Sequence, residues 1–248
     1  MEAYKEDDCQ LYYPNTLDDN IYDPVDAALV AKMHKAITVI QLKLEGQLME
    51  KYPEWEMQER SLFRRICVSD RTVDIEGKTC RLKDCFFPTV EAENPLVLSD
   101  GERELMTVLT NSFLHSEKLH RHIRFLLSKG SMYQICNQNL LFHGCIPMDE
   151  NGELQSVQIN GKKFSGKNHL DKLDEIVNRA YFSSEHTEEK EFARDFLWYL
   201  WCGPKSPLYG KDKMAFFERY YIEDKEFQGE RYNDYYLFSQ KASVCEDI

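Results

Sequence analysis

The chain has 248 residues with 43 acidic against 31 basic side chains, a formal net charge of -12, enough length to bury a real core as one large domain or two small ones. The acidic balance excludes nucleic acid and anionic membrane as partners bound through a general basic field, so any phosphate site must be local. Its eight cysteines show no C-x-x-C spacing, its uncharged stretches are too short to cross a bilayer, and its acidic start lacks the basic region of a signal peptide; together these predict a cytoplasmic protein with reduced thiols.

Residues 1–23 carry acidic side chains and tyrosines with no sustained period and read as an irregular lead-in. From Val25 the pattern changes: Leu29, Met33, Ile37, Ile40, Leu44 and Leu48 recur at helical spacing. They predict a long amphipathic helix to about Lys51, capped by Asp23 before Pro24 and ended by Pro53. A polar row of His34, Thr38, Gln41 and Glu45 on another face is expected to be solvated. A shorter helix is expected over 57–66, and a β-hairpin from 71–75 and 78–82 around a Glu76-Gly77 turn. Ser99-Asp100-Gly101-Glu102 has the pattern of a capping box opening a helix. The helix breaks near His115, where the apolar stripe changes face, and stops at Gly130. Residues 24–130 are thus mainly helical with one hairpin. His115, His120 and His122 share no i,i+4 face and lie among Lys118, Arg121 and Arg124, which predicts an exposed basic face rather than a metal site.

Residues 131–165 read as strands. An apolar run over 132–136, a turn at Asn137-Gln138-Asn139 and a second run over 140–142 predict a tight strand pair ending in His143-Gly144. A histidine closing a buried strand, followed by a residue without a Cβ, is placed to aim its imidazole at something beside the backbone, with a metal ion the leading candidate. A half-buried histidine satisfied by a backbone carbonyl is the ordinary alternative. Asn160-Gly161 between 155–159 and 162–164 is the signature of a type I′ hairpin. Residues 166–248 return to helical spacing, first through Leu170, Leu173, Ile176 and Val177 to Phe182. After a break at 183–187 a second helix ends in Phe196-Leu197-Trp198-Tyr199-Leu200-Trp201.

The stretch Trp198–Phe217 is the least ordinary in the chain. Two tryptophans feed a loop rich in glycine and proline with Lys205, Lys211 and Lys213. Glycines let backbone amides approach an anion, and lysines supply point charges for phosphate; a Gly/Pro loop over an aromatic core is the structural alternative. Asp212 lies between two lysines placed to pair with it.

Leu140-Leu141-Phe142-His143-Gly144-Cys145-Ile146-Pro147-Met148, preceded by Ser128-Lys129-Gly130-Ser131-Met132-Tyr133, resembles a segment of the class III fructose-1,6-bisphosphatases. That family is similar to the calcineurin-like metallophosphatases, whose His-Gly-Gly element supplies one ligand to a pair of metal ions; Cys145 stands where the broader superfamily has glycine. The resemblance is most specific in Tyr199-Leu200-Trp201-Cys202-Gly203-Pro204, Ser206-Pro207-Leu208, Gly210-Lys211-Asp212-Lys213-Met214 and Phe217-Glu218-Arg219-Tyr220, with a departure at Ala215-Phe216. It also takes in 32–37, 44–47 and 161–173, and so covers nearly the whole chain. Members of the family are far longer, with Gly-Asp-x-His-Gly, Gly-Asp-x-x-Asp-Arg-Gly and Gly-Asn-His-Asp upstream and Gly-His-x-Pro-Val downstream; none of these occurs here.

The resemblance implies an α+β chain holding part of a calcineurin-like β-sandwich with extensive helical insertions. It implies hydrolysis of fructose 1,6-bisphosphate to fructose 6-phosphate in gluconeogenesis by a metal-activated water. In such a site the ion pair clamps phosphate oxygens and generates hydroxide, and its mixed oxygen and nitrogen ligands suit manganese. His143 would be one ligand, with the others in upstream and downstream segments of the same enzyme. Lys205, Lys211, Lys213 and Arg219 are candidates, on charge and loop chemistry, for the substrate phosphates. The chain alone is therefore expected to be catalytically silent. A second reading, from a different class, is a non-catalytic sugar-phosphate-binding or assembly module.

Overall fold

A computed structural model describes residues 3–5, 7–14, 27–184 and 186–246. The Asp23 cap and most of the lead-in lie outside them. Its helices are α1 (Ala27–Lys51), α2 (Asp100–Leu114), α3 (Glu117–Lys129), α4 (Gly166–Phe182), α5 (Glu188–Cys202), α6 (Phe216–Tyr221), α7 (Tyr235–Phe238) and α8 (Ala242–Glu246). Its strands are β1 (Ile66–Cys67), β2 (Thr72–Ile75), β3 (Lys78–Arg81), β4 (Tyr133–Cys136), β5 (Asn139–Phe142), β6 (Val157–Ile159), β7 (Lys162–Phe164), β8 (Lys211–Lys213) and β9 (Arg231–Tyr232). All pair antiparallel, β1-β2-β3 as one sheet and β4-β5, β6-β7 and β8-β9 as two-stranded sheets. This is a mixed helix-and-sheet chain of the expected α+β class. No helix among the described residues is long and apolar enough to cross a membrane.

The chain divides into two compact units, one of residues 1–111 with 215–228 and one of residues 112–214 with 229–248. In the first, α1 lies against a core that includes Val73, Ile75 and Leu82 from the β2–β3 hairpin and Phe217, Tyr221 and Ile222 from α6 and its end. The face that α1 buries follows the apolar period only in part: Ile40 is buried and Leu44 and Leu48 half-buried, but Leu29, Met33 and Ile37 are exposed. Ala31, Lys35, Val39, Leu42, Lys43, Gly46 and Met49, off that stripe, are buried instead. Hydropathy assigns lysine to solvent, but these two lysines are neutralised inside. Lys35 Nζ donates to Asp84 Oδ2 at 2.8 Å and to the Asp8 carbonyl at 2.5 Å; Lys43 Nζ donates to Glu102 Oε2 at 2.7 Å and to the Thr89 carbonyl at 2.6 Å. A buried charge is tolerated when it is paired and its remaining donors are satisfied. The polar row is likewise only partly solvated: His34 is exposed, but Glu45 is buried and accepts from Gln41 Nε2 at 2.9 Å.

The capping box forms as the sequence predicts. Glu102 N–H donates to Ser99 Oγ at 3.3 Å and Ser99 N–H donates to Glu102 Oε2 at 2.8 Å, satisfying two amides that the first turn of α2 leaves without helical partners. α2 ends at Leu114 and α3 begins after Ser116, whose hydroxyl accepts from Leu119 N–H. The helix expected over 57–66 does not form. Residues 58–60 and 62–64 make two 3-10 turns, because Trp55, Met57, Leu62 and Phe63 all reach the interior and that spacing fits no single helical face.

In the second unit α4 packs on α5, burying Leu170, Leu173 and Ile176 of one and Ala193, Phe196 and Leu200 of the other. Asn160 and Gly161 adopt positive φ (49° and 75°), the I′ geometry their identities predict. Asn137 and Gln138 do the same (50° and 65°), so the β4–β5 loop has two residues and Asn139 already belongs to the strand. The basic histidine face is exposed at His115 and His122. His120 is half-buried, with one ring nitrogen 2.9 Å from Tyr181 Oη and the other 2.9 Å from the Leu114 carbonyl.

A candidate site where the His143 turn meets the lysine loop

α5 ends where Gly203 N–H bonds the Tyr199 carbonyl at 2.6 Å, and the chain then winds into a loop built on Ser206. Ser206 is buried and its hydroxyl donates to the Leu200 carbonyl at 2.6 Å while accepting from Tyr209 N–H. Ser206 N–H bonds the Gly203 carbonyl at 3.2 Å and Gly210 N–H the Ser206 carbonyl at 3.0 Å. The amides at 203, 206, 209 and 210 are therefore engaged within the loop.

The two stretches singled out in the sequence meet here. Cys145 N–H donates to the Pro207 carbonyl at 2.9 Å. At Gly144, φ is +84°, and a Cβ would lie 2.0 Å from that same carbonyl oxygen. Glycine is required on both counts, by the left-handed backbone and by the close approach. Cys145, Ile146, Pro147 and Met148 beyond it are buried. Burial, and after it the Asp212 carboxylate, push the Cys145 thiol up to about 12, so it is held as an inert apolar group.

Asn233 ties the neighbourhood together and was not legible beforehand. It is buried, and its Oδ1 accepts from Met148 N–H and Tyr235 N–H, both at 3.0 Å. Its Nδ2 donates to Asp212 Oδ1 at 3.0 Å, and its N–H bonds the Gly210 carbonyl at 3.1 Å. One side chain thus joins the segment after His143, the lysine loop and the start of α7. A lone Asn among Asp and Tyr residues carries no short-range pattern that would have revealed it.

His143 follows β5 directly, as expected, but the strand pair is not buried: Ile135 is 64% and Leu141 52% exposed, and His143 itself is exposed. Lys205 lies in the loop with φ +65°, half-buried; Lys213 is half-buried on β8. Lys211 is paired not with Asp212 but with Glu230, Nζ to Oε2 at 2.7 Å, and its ammonium sits 5.5 and 5.4 Å from the ring centres of Tyr209 and Tyr232. Arg219 is placed by α6, in the first unit, where its Nε donates to the Gln228 carbonyl at 3.2 Å. Among the described residues no group of three or more His, Cys, Asp or Glu is arranged to hold a metal ion. The described residues therefore do not fit a metal pair by themselves; His143 is one donor on a turn whose backbone is fixed.

The fold and the site thus define an α+β chain in which a His-Gly turn is locked to a lysine-bearing loop. The sequence comparisons give that arrangement a family. The profile of Firmicute fructose-1,6-bisphosphatase matches residues 1–248, and the chain belongs to that family. Among curated relatives it is 46% identical to fructose-1,6-bisphosphatase class 3 of Clostridium botulinum strain Loch Maree over 248 residues, covering 100% of this chain and 37% of the relative. It is 47% identical to fructose-1,6-bisphosphatase class 3 of Alkaliphilus metalliredigens over 250 residues, covering 38% of that protein. The chain spans little more than a third of the length of these relatives. No solved structure matches.

Proposed function

We propose that the chain acts as an internal portion of a fructose-1,6-bisphosphatase, the whole enzyme releasing the 1-phosphate of fructose 1,6-bisphosphate in gluconeogenesis in the cytoplasm. The observation that carries this reading is the bond from Cys145 N–H to the Pro207 carbonyl, beside a Gly144 that admits no side chain. It supports one site assembled from the His143 turn and the lysine loop. In this reading His143 offers one imidazole to a divalent-metal site, manganese being the ion, completed by polypeptide outside residues 1–248. Lys205 and Lys213 bring positive charge to the substrate phosphates, and Lys211 does so while bracing β8 against β9 through Glu230. Arg219, on α6, is kept as a phosphate candidate on its charge alone. Residues 131–165 contribute strands to a calcineurin-like sandwich, with 24–130 and 166–248 as mainly helical elaborations.

The test is an assay of the purified 248-residue chain, and of the same chain joined to the flanking portions of the Clostridium botulinum relative, with manganese and fructose 1,6-bisphosphate. The chain alone is expected to release phosphate at background and to bind manganese weakly, since a single imidazole does not replace a multi-ligand site. The joined protein should turn over and lose activity with His143→Ala. Tight binding of an ion pair by the chain alone would overturn the incomplete-site reading. A joined protein that binds the sugar phosphate without turnover would favour a non-catalytic module.

A further inference from the structure

β8 is not a regular strand. Lys211 pairs with Tyr232 and Lys213 with Arg231, so the register slips by one residue between the two lysines and Asp212 is the extra residue of a β-bulge. A bulge leaves its extra residue without a ladder partner and bends the strand that carries it. Whatever holds Asp212 therefore decides where its neighbours stand. The holder is an amide: Asn233 Nδ2 donates to Asp212 Oδ1 at 3.0 Å, and Asn233 N–H donates to the Gly210 carbonyl at 3.1 Å. Asn233 thus grips the chain on both sides of Lys211.

The same side chain reaches the segment that follows His143. Its Oδ1 accepts from Met148 N–H and from Tyr235 N–H, both at 3.0 Å. At the other end of the loop, Cys145 N–H donates to the Pro207 carbonyl at 2.9 Å. Residues 145–148 are therefore fastened to residues 207–212 at two places, one direct and one through Asn233. A single attachment leaves a hinge, whereas two fix the orientation. Asn233 is 2% exposed, so a bond lost from its side chain is not replaced by one to solvent. Its chemistry is specific as well. Aspartate would keep both bonds at Oδ1 but set a second carboxylate against that of Asp212, and leucine would leave the Met148 amide without its acceptor.

We propose that Asn233 is a positioning residue for the candidate site: by holding the bulged Asp212 and the Met148 amide with one side chain, it sets the spacing between the strand that carries Lys211 and Lys213 and the turn that carries His143. It acts through these neighbours rather than on a substrate. The inference rests on the reading of the turn and the loop as one phosphate-ester site, and it adds the group that keeps them in register.

The Asn233–Asp212 pair can be inverted. Asn233→Asp alone brings two carboxylates together; adding Asp212→Asn restores one donor and one acceptor at unchanged net charge, with the bond reversed. In the 248-residue chain, Asn233→Asp should speed hydrogen exchange at 145–148 and 210–213 by on the order of 10-fold while α4 and α5 keep their protection, and the inverted pair should slow it again. The chimera carrying the flanking portions of the Clostridium botulinum relative would be assayed at a temperature where melting curves show each variant folded. There Asn233→Asp should lower kcat for fructose 1,6-bisphosphate by on the order of 100-fold, the scale of a misplacement of about 1 Å, and the inverted pair should recover most of it. Asp212→Ala, which removes only the strand side of the clamp, carries the same expectation if Asn233→Asp does not fold. Faster exchange with an unchanged kcat would make Asn233 structural only and overturn the proposal. An inverted pair that regains protection but not kcat would also overturn it, by giving one of the two side chains a direct part in turnover. A folded wild-type chimera without turnover removes the catalytic reading and this role with it, a different failure from an active chimera indifferent to Asn233.

Discussion

Gly144 and Pro207 stand so close that a Cβ on the glycine would lie 2.0 Å from the proline carbonyl oxygen. The obstacle is backbone, which cannot swing aside as a flexible side chain does. Gly144→Ala should therefore destabilise the second unit by at least about 2 kcal/mol, combining a left-handed alanine with displacement of the 207 carbonyl. Gly161→Ala is the control, with φ +75° and nothing within 4 Å of its Cβ; it should cost only the backbone term, about 1 kcal/mol. Urea unfolding followed at the tryptophans compares the two.

The ion pair of Lys43 and Glu102 makes a second expectation. Burial by itself would raise the Glu102 carboxyl, but hydrogen bonds from Lys43, Thr89 and Ser99 N–H more than offset it and hold the group below its ordinary 4.5. A depressed carboxyl contributes stability that is present above its unfolded value and lost as pH falls through its folded value. Acid unfolding of the first unit should thus steepen below 4.5, and Glu102→Gln should remove that component. Lys43→Met leaves the carboxylate buried beside no cation and should cost about 3–5 kcal/mol at neutral pH.

His169 gives the second unit a separate acid sensitivity. Its ring is buried on α4, its Nε2 has no hydrogen-bond partner among the described residues, and burial lowers its value from 6.5 to about 4. Below 6.5 the unfolded chain takes a proton that the folded chain refuses. Stability should fall between pH 6.5 and 4 and then level, by about 3 kcal/mol in all. His169→Leu should flatten that interval, as read from denaturant midpoints taken across it.

Lys211 and Lys213 should separate in a complete homologue. Lys213→Met is expected to raise KM for fructose 1,6-bisphosphate. Lys211→Met also removes the ion pair to Glu230, only 18% exposed at its side chain, and should lower the melting temperature as well. An unchanged KM in both variants would return the loop to a purely structural role.

The thiols should sort by exposure. Alkylation of the native chain at pH 8 is expected at Cys67 and Cys136, which are exposed, and not at Cys9, Cys145 or Cys202, which are buried; peptide mapping reads this directly.

What was legible in the sequence was local chemistry. Ser99 with Glu102, Asn160 with Gly161 and the Gly130 stop each act within a few residues of themselves, and each forms as written. What was missed depends on partners far along the chain. The buried face of α1 is decided by Asp84 and Glu102, 49 and 59 residues from the lysines they neutralise. β8 has no apolar alternation and exists because Arg231 and Tyr232 come back to pair with it. The strand pair before His143 has the apolar sequence of a buried element and is open, because hydropathy records what a segment would bury and not what covers it. Of the candidate site residues, the sequence placed His143 at the end of its strand; the contact with Pro207 and the Asn233 hub needed the fold.

The first unit is discontinuous in the chain, and that has a consequence for its synthesis. Its core takes Phe217, Tyr221, Ile222 and Phe227 from residues 215–228. Tyr221 meets the hydroxyl of Tyr12, its carbonyl accepts from Lys83 N–H at 2.8 Å, and Ile222 bridges to Leu82. On the ribosome, all of 112–214 must emerge before those residues arrive, a wait of roughly 5–20 s at ordinary elongation rates. Through that interval Val73, Leu82 and Phe87 lack the cover α6 supplies. The nascent first unit is therefore a natural client for a holding chaperone, and a translational pause within 112–214 would prolong its exposure to proteases.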